Sequence, residues 1–409
     1  MTATVPSKRT SAAVLFACFI GMMLGASSVP FYTLGTFAAP VTEGTGWTMV
    51  QYQGAFTLYL LGALFIPVFG HLCDTYGVRR VAIPSMAMFA GSLALLGWAS
   101  SFGIYGFYAA WAVMAITGQG TGTIAWTHMV GSWFDRRRGL ALGFVLAGSG
   151  VFAMFGPLVA AKLISQFGWQ NAYPALACLV FVISMPVLLL FLRVPPRLAE
   201  AGAAQASAAD EPVPVAQGYT LPEALRSYRF YLIAAAFLVV GFGVSGIITN
   251  LVPILSAKGL AGESAAAMAG LIGVSIIGGR LLVGAALDKF WAPAVSAILL
   301  ALPAVSCLLL VSGEYTVLAV LLVGLAAGAE FDIVAFLAAR YFGMAAYGKI
   351  YGLLSVAFFF GAGIAPPTFG AALDIYGDYN LILGTMAFLF VGAAASLLLL
   401  GRYPTRAEA

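Results

Sequence analysis

Charge is what this chain has least of. Only 8% of its 409 residues are Asp, Glu, Lys or Arg, and it carries two histidines and four cysteines. A water-soluble domain carries about a quarter charged residues, so a soluble globular fold is excluded. Cys18, Cys73, Cys178 and Cys307 have neither metal-ligand nor redox spacing. Three fall inside apolar runs and Cys73 in an expected loop, so no disulfide framework or metal site is expected. No phosphate-binding loop, metal cluster or nucleophile–base constellation is visible, and the GSG at 148–150 lies within an apolar run. Neither an enzyme nor a cofactor is expected. The net charge of +4 follows the placement of loops and gives no reason to expect a nucleic-acid partner.

What is abundant is hydrocarbon. The chain is 62% hydrophobic, with a mean hydropathy of +1.00. Crossing a bilayer takes roughly 20 apolar residues per helix. Twelve such runs are expected, over 12–37, 47–70, 81–99, 105–133, 139–163, 171–194, 229–254, 264–287, 292–312, 316–341, 349–373 and 380–401. A membrane β-barrel would show short alternating segments instead. The first run is too long for a signal-peptide core and reads as a retained helix.

An even number of passes puts both termini on one side. Sixteen of the nineteen basic residues then fall at the cytoplasmic ends and only Lys162 and Lys258 outside, which orients the chain with cytoplasmic termini, as in a bacterial inner membrane. The remaining one, Arg280, belongs to neither side. An Ala- and Pro-rich stretch over 199–219 reads as part of a cytoplasmic linker. The expected organisation is an all-α membrane protein of two pseudo-symmetric six-helix bundles, 1–198 and 229–409, with 199–228 between them. Internal similarity supports this: Gly139, Gly143 and Pro157 map onto Gly348, Gly352 and Pro366 at a constant offset. Parallel six-helix repeats of this kind suit alternating-access carriers, with a site near the midplane.

The loop after the second run reads GHLCDTYGVRR (70–80). It resembles the G-x-L-x-D-x-x-G-R-R signature of the major facilitator superfamily, with His71 and Val78 as departures. The resemblance covers the whole chain and implies a conformational latch on the cytoplasmic side. Its members would be Asp74, Arg79 and Arg80 with Arg137 from loop 136–138, and Asp288 with Arg340 in the second half. Within that superfamily, RRGLALGFVLAGSG (137–150) and an arginine in mid-helix eight resemble the monocarboxylate porters and the oxalate–formate exchangers.

Arg280 lies eight residues before Asp288, hence about 12 Å inside a hydrocarbon layer roughly 30 Å thick. Its guanidinium stays protonated and must meet an anion or water. It reads either as an anchor for a substrate carboxylate, taken bidentately, or as a structural partner for an acidic residue. Glu330 and Asp332 in helix ten are the deeply placed carboxylates. One of them is expected to face Arg280 or the cavity and carry a proton, and the other to be satisfied by polar groups within the bundle; which one titrates stays open, and depth favours Asp332 as the partner of Arg280. His128 is a further proton-handling candidate. Gln119, Asn250, Tyr32 and Phe359 are expected along the substrate path, with Gly118, Gly120 and Gly122 allowing close packing or unwinding.

The departures from the family pattern matter. Ile276 stands where animal-type monocarboxylate porters carry an aspartate, helix one lacks their lysine, and helix eleven lacks the second cation of the oxalate–formate exchangers. One buried cation suits a monoanion. The expected activity is secondary transport of a small monocarboxylate with a proton, by a monomer in the bilayer. An organic-anion exchanger, an exporter of amphipathic compounds and a signalling receptor are the alternatives.

Overall fold

A helix of 54 residues would extend about 80 Å, more than twice the hydrocarbon thickness of a bilayer. The run Arg138–Phe191 nevertheless has helical hydrogen bonding almost throughout. It folds into two passes at one residue, Gly168 (φ 74°, ψ 157°), a conformation open to glycine and strained for residues with a Cβ. The gap between the apolar runs 139–163 and 171–194 places the turn there, at 164–170.

The computed structural model describes residues 8–58, 62, 64–134, 138–193, 218–343 and 345–403. In chain order the α-helices are α1 (Lys8–Leu24), α2 (Val29–Thr45), α3 (Met49–Thr57), α4 (Ile66–Tyr76), α5 (Val78–Ala99), α6 (Gly103–Thr117), α7 (Thr123–Trp133) and α8 (Arg138–Phe191). They continue with α9 (Leu221–Arg226), α10 (Tyr228–Ala257), α11 (Gly262–Ala269), α12 (Leu271–Lys289), α13 (Ala292–Ser312), α14 (Thr316–Phe342), α15 (Tyr347–Tyr376) and α16 (Asn380–Leu398). Among the described residues there is no β-sheet. Nine helical stretches among the described residues are long and apolar enough to cross a membrane. Two of them, Val78–Trp133 and Leu140–Phe191, contain a left-handed glycine, Gly103 and Gly168, and are long enough for two passes each. The expected pass over 47–70 is described only in part. Large apolar side chains such as Leu281, Leu190 and Phe388 stand exposed on these spans, as a bilayer-facing surface requires. Cys73, expected in a loop, is buried within α4, because that helix runs on to Tyr76.

By packing, the chain divides into two units: Met1–Gly46 with Leu58–Val213, and Trp47–Thr57 with Pro214–Ala409. Helix α3 thus belongs to the second unit, although the chain on either side of it belongs to the first. Most of the linker expected over 199–228 lies outside the described residues. Its last part forms α9, where Thr220 and Glu223 build a capping box, and Gly218 bridges to Gly343 at the end of α14.

In the first unit, two expected continuous helices are interrupted. The first breaks between α1 and α2 at residues 25–28, and the fourth unwinds into a 3-10 turn (Gly118–Thr121) and an extended Gly122. The breaks meet. The Ala26 amide donates to Thr121 Oγ1 (3.0 Å), the Trp126 indole donates to the Thr121 carbonyl (2.9 Å), and Ser28 Oγ donates to the Met22 carbonyl (2.7 Å). Irregular backbone at membrane depth is tolerated because protein groups satisfy it in this way.

Candidate functional site

Helices α12 and α14 of the second unit are held together along small residues. A Cβ added at Gly324 would stand 2.6 Å from Ser275 Cβ, and one at Gly279 or Gly328 would strike the carbonyl of Leu325 or Ile276. This backbone-to-backbone seam works as small-xxx-small contacts do in lipid, where close packing replaces the hydrophobic drive. Arg280 follows Gly279 directly, and Glu330 follows Gly328 by two residues, so the seam fixes the level at which the cation and the acid stand.

The structure brings Arg280, Glu330 and Asp332 into one electrostatic neighbourhood: the guanidinium charge acts on both carboxyls. It does not join them. Among the described residues Arg280 makes no ion pair or hydrogen bond; it is half-buried, and its Nε is a buried donor without an acceptor. Glu330 is 8% exposed, with Oε2 buried and unpartnered, whereas Asp332 is exposed. Polar groups were expected to satisfy one of the two carboxylates; the buried acid is Glu330, and for its Oε2 no hydrogen-bond donor is found among the described residues. The alternation of a helix at i and i+2 explains why the two acids differ in burial.

Around this cluster the wall is aromatic. Phe331, between the two acids, packs on Phe358 (ring centroids 4.8 Å) and Phe359 (5.8 Å) of α15, and Phe359 remains 41% exposed. Asp332 also acts electrostatically on Tyr351 of the same helix, a residue the sequence pattern did not single out.

Asn250 lies elsewhere in the second unit and is fully buried. Its Oδ1 accepts from Gln53 Nε2 (2.6 Å) and Tyr379 Oη (3.3 Å), and its Nδ2 donates to the Gly246 carbonyl (3.0 Å). Nearby, Asp374 accepts from the amides of Met49 (3.1 Å) and Val50 (2.8 Å), the first residues of α3. An acid there complements the positive end of the helix. Gln53, Tyr379 and Asp374 were not foreseen; the only signal was a glutamine inside an apolar run.

The remaining candidates belong to the first unit or to the latch. Gln119 sits half-buried in the 3-10 turn, and its Nε2 donates to the Ala115 carbonyl (2.9 Å). Tyr32 is half-buried, edge-on to Phe31 (5.0 Å), and His128 is half-buried on α7. Arg79 donates to the Leu189 carbonyl (3.0 Å), and Arg80 is exposed. Arg340 lies over the rings of Phe336 (5.4 Å) and Tyr403 (5.5 Å). Arg137 and the side chains of Asp74 and Asp288 lie outside the described residues, so the latch pairs stay expectations.

Comparison with known proteins agrees with this architecture. The model of the Major Facilitator Superfamily matches residues 12–366. An oxalate:formate antiporter of Oxalobacter formigenes is 30% identical over 254 residues, 61% of this chain and 55% of that protein, so the chain spans about half the length of this relative. Monocarboxylate transporter 9 of Gallus gallus is 33% identical over 108 residues, 26% of this chain and 21% of that protein. Among solved structures, a bacterial homologue of the human lysosomal transporter Spinster, in an inward-facing and occupied conformation, superposes with a TM-score of 0.71 at 16% identity, over 98% of both chains. At that identity the likeness speaks for the fold alone. With most of its length matched by the family and its fold matched throughout, this multi-pass helical membrane protein belongs to the Major Facilitator Superfamily.

Proposed function

We propose that the protein is a secondary active transporter of a small organic monocarboxylate, coupled to a proton and working by alternating access in a bacterial inner membrane with both termini cytoplasmic. The observation that carries this reading is the unpartnered Nε of Arg280 in mid-span, close enough to two acids to feel them and bonded to neither. A buried donor left unmade costs about 1–3 kcal/mol, more when charged. A substrate carboxylate offsets that by taking the planar fork bidentately. One cation then neutralises one carboxylate, which favours a monoanion over a dianion. Glu330, whose Oε2 has no donor, and the exposed Asp332 supply the acid that takes up the coupled proton. The cycle loads a proton on one of these acids, docks the carboxylate on Arg280 and releases both on the other side, which is electroneutral. Phe359 gives the substrate's organic part an apolar surface.

Exchange of one organic anion for another is the second reading, and the similarity to the Oxalobacter formigenes oxalate:formate antiporter favours it. The test is uptake of labelled formate, lactate, benzoate and oxalate by proteoliposomes under an inward proton gradient, with Arg280→Gln alongside. Gradient-driven uptake of a monoanion that the substitution abolishes is the expected result. Uptake only against a preloaded internal anion would select the exchanger. Uptake that survives the substitution would sink the anchor role of Arg280.

A further inference from the structure

Three residues on one face of α15 follow each other at four-residue spacing: Tyr347, Tyr351 and Ser355. All three are half-buried, while Gly348, Lys349, Gly352 and Leu353 beside them are exposed and Ile350 and Leu354 are buried. The face therefore runs along the border between packed and open sides of the helix. It starts at the end where Arg340 and Lys349 mark the cytoplasmic boundary. Tyr351 stands about 6 Å inward from Tyr347 and Ser355 about 12 Å, at 1.5 Å per residue. Asp332, eight residues before Arg340 on the antiparallel α14, lies about 12 Å in by the same measure. The two tyrosine rings are stacked, with centroids 5.7 Å apart and planes 13° from parallel. Ser355 donates its hydroxyl proton to the Tyr351 carbonyl (2.8 Å) and also interacts with the Tyr351 phenol. The tyrosine hydroxyls belong to the stretch of this face between the depth of Asp332 and the boundary.

We propose that Tyr351, with Tyr347 behind it, is the path by which the proton carried at Asp332 leaves for the cytoplasm. This inference rests on the proton-coupled reading of the site. In the step, the Asp332 carboxyl O–H breaks and its proton passes through solvent to Tyr351 Oη. The phenolic proton of Tyr351 leaves at the same time toward Tyr347 and cytoplasmic water. The tyrosine ends neutral, and the carboxylate keeps the negative charge. Among the described residues, the groups that act electrostatically with Asp332 are Arg280 from α12 and Tyr351 from α15, with Glu330 two residues away on α14 itself. Arg280 stabilises the carboxylate left behind and can only donate, whereas Tyr351, on the helix that carries Tyr347, can accept and donate at one oxygen.

Proteoliposomes holding the full chain and an internal pH dye separate this from a packing role. Net uptake of labelled formate, lactate or benzoate under a proton gradient requires the proton to leave the carrier. Counterflow, in which labelled acid exchanges for unlabelled acid at equal pH, does not. Tyr351→Phe should slow net uptake and internal acidification by at least about tenfold, leave counterflow within about twofold of wild type, and leave the melting temperature unchanged. Tyr347→Phe should do the same more weakly. A parallel fall of net uptake and counterflow would make Tyr351 structural and overturn the inference, as would no change in either. If wild type acidifies the lumen with none of the three acids, the proton-coupled reading itself fails. Failure of Tyr351→Phe against an active wild type overturns the path alone.

Discussion

Asn250 and Arg280 are both polar residues in mid-span helices of the second unit, and the structure treats them oppositely. Asn250 is fully buried and saturated: its oxygen takes two donors and its amide finds a main-chain carbonyl. Arg280 is half-buried beside two acids and bonds to neither. A saturated buried amide has nothing left to offer a ligand, and its worth is in holding α10, α3 and the chain near Tyr379 together. An unsaturated cation on a rigid helix pair has the reverse character, since its energy is recovered only when something negative arrives. The presence of a polar residue in a span therefore says less than whether its hydrogen bonds are already made.

The contrast breaks most sharply at Arg280. Arg280→Lys keeps the charge and loses the fork, so the uptake efficiency kcat/KM should fall by about ten- to a hundredfold. The melting temperature in detergent should not move. Asn250→Leu should do the opposite. It strands Gln53 Nε2 and Tyr379 Oη and costs about 1–3 kcal/mol of stability, measured by denaturant titration, while KM for the transported acid stays the same. A KM change there would return Asn250 to the substrate path.

Gly328→Ala tests the seam that holds the Arg280 cluster. The added methyl meets the Ile276 carbonyl, so α12 and α14 must part, and we expect about 1–3 kcal/mol of destabilisation together with reduced uptake. An unchanged melt would mean that the helices separate without strain. Asp374→Asn is gentler, because an amide still accepts from one of the α3 amides, and about 0.5–1 kcal/mol should be lost at low ionic strength.

The smallest effect lies outside the membrane. Hydrogen bonds from the Thr220 main chain and hydroxyl, with the charge of Arg226 adding, hold the Glu223 carboxyl below its ordinary range. Its folded value lies below the unfolded one. The cap is therefore at full strength above the ordinary carboxyl range near pH 4.3 and is lost as pH falls through the lowered value. Amide exchange across α9 should quicken at acid pH in wild type and be indifferent to pH in Glu223→Ala.

Much of this was legible beforehand, for a reason that varies by element. The apolar runs anticipated α10, α13 and α16 closely, and a turn between the fifth and sixth passes, because transfer to hydrocarbon is a local, additive property of each segment. The break in the fourth helix was foreshadowed by Gly118, Gly120 and Gly122, which left packing and unwinding equally open. The matching break after Leu24 was marked by Gly25, Ser27, Ser28 and Pro30 but read through as one apolar run, and it is tied to Thr121, 95 positions from Ala26. At the site, Arg280, Glu330 and Asp332 stood out because each is dear to place in lipid. Tyr351 and Gln53 did not, since tyrosine and glutamine in a span are costly only if unpaired.

The sequence by itself determined that the chain lives in a bilayer, that its passes are helical, that it carries the superfamily signature, and that one cation and two acids stand where charge is expensive. Those follow from composition, run length and residue spacing, which need no knowledge of neighbours. Only the tertiary structure decided which polar groups are spent and which remain. Asn250 is silenced by a residue 197 positions away in the chain, and Arg280, directly after a glycine of the α12–α14 seam, keeps an Nε with no acceptor among the described residues. Hydrogen-bond satisfaction is a property of pairs, and the pairs are made by packing.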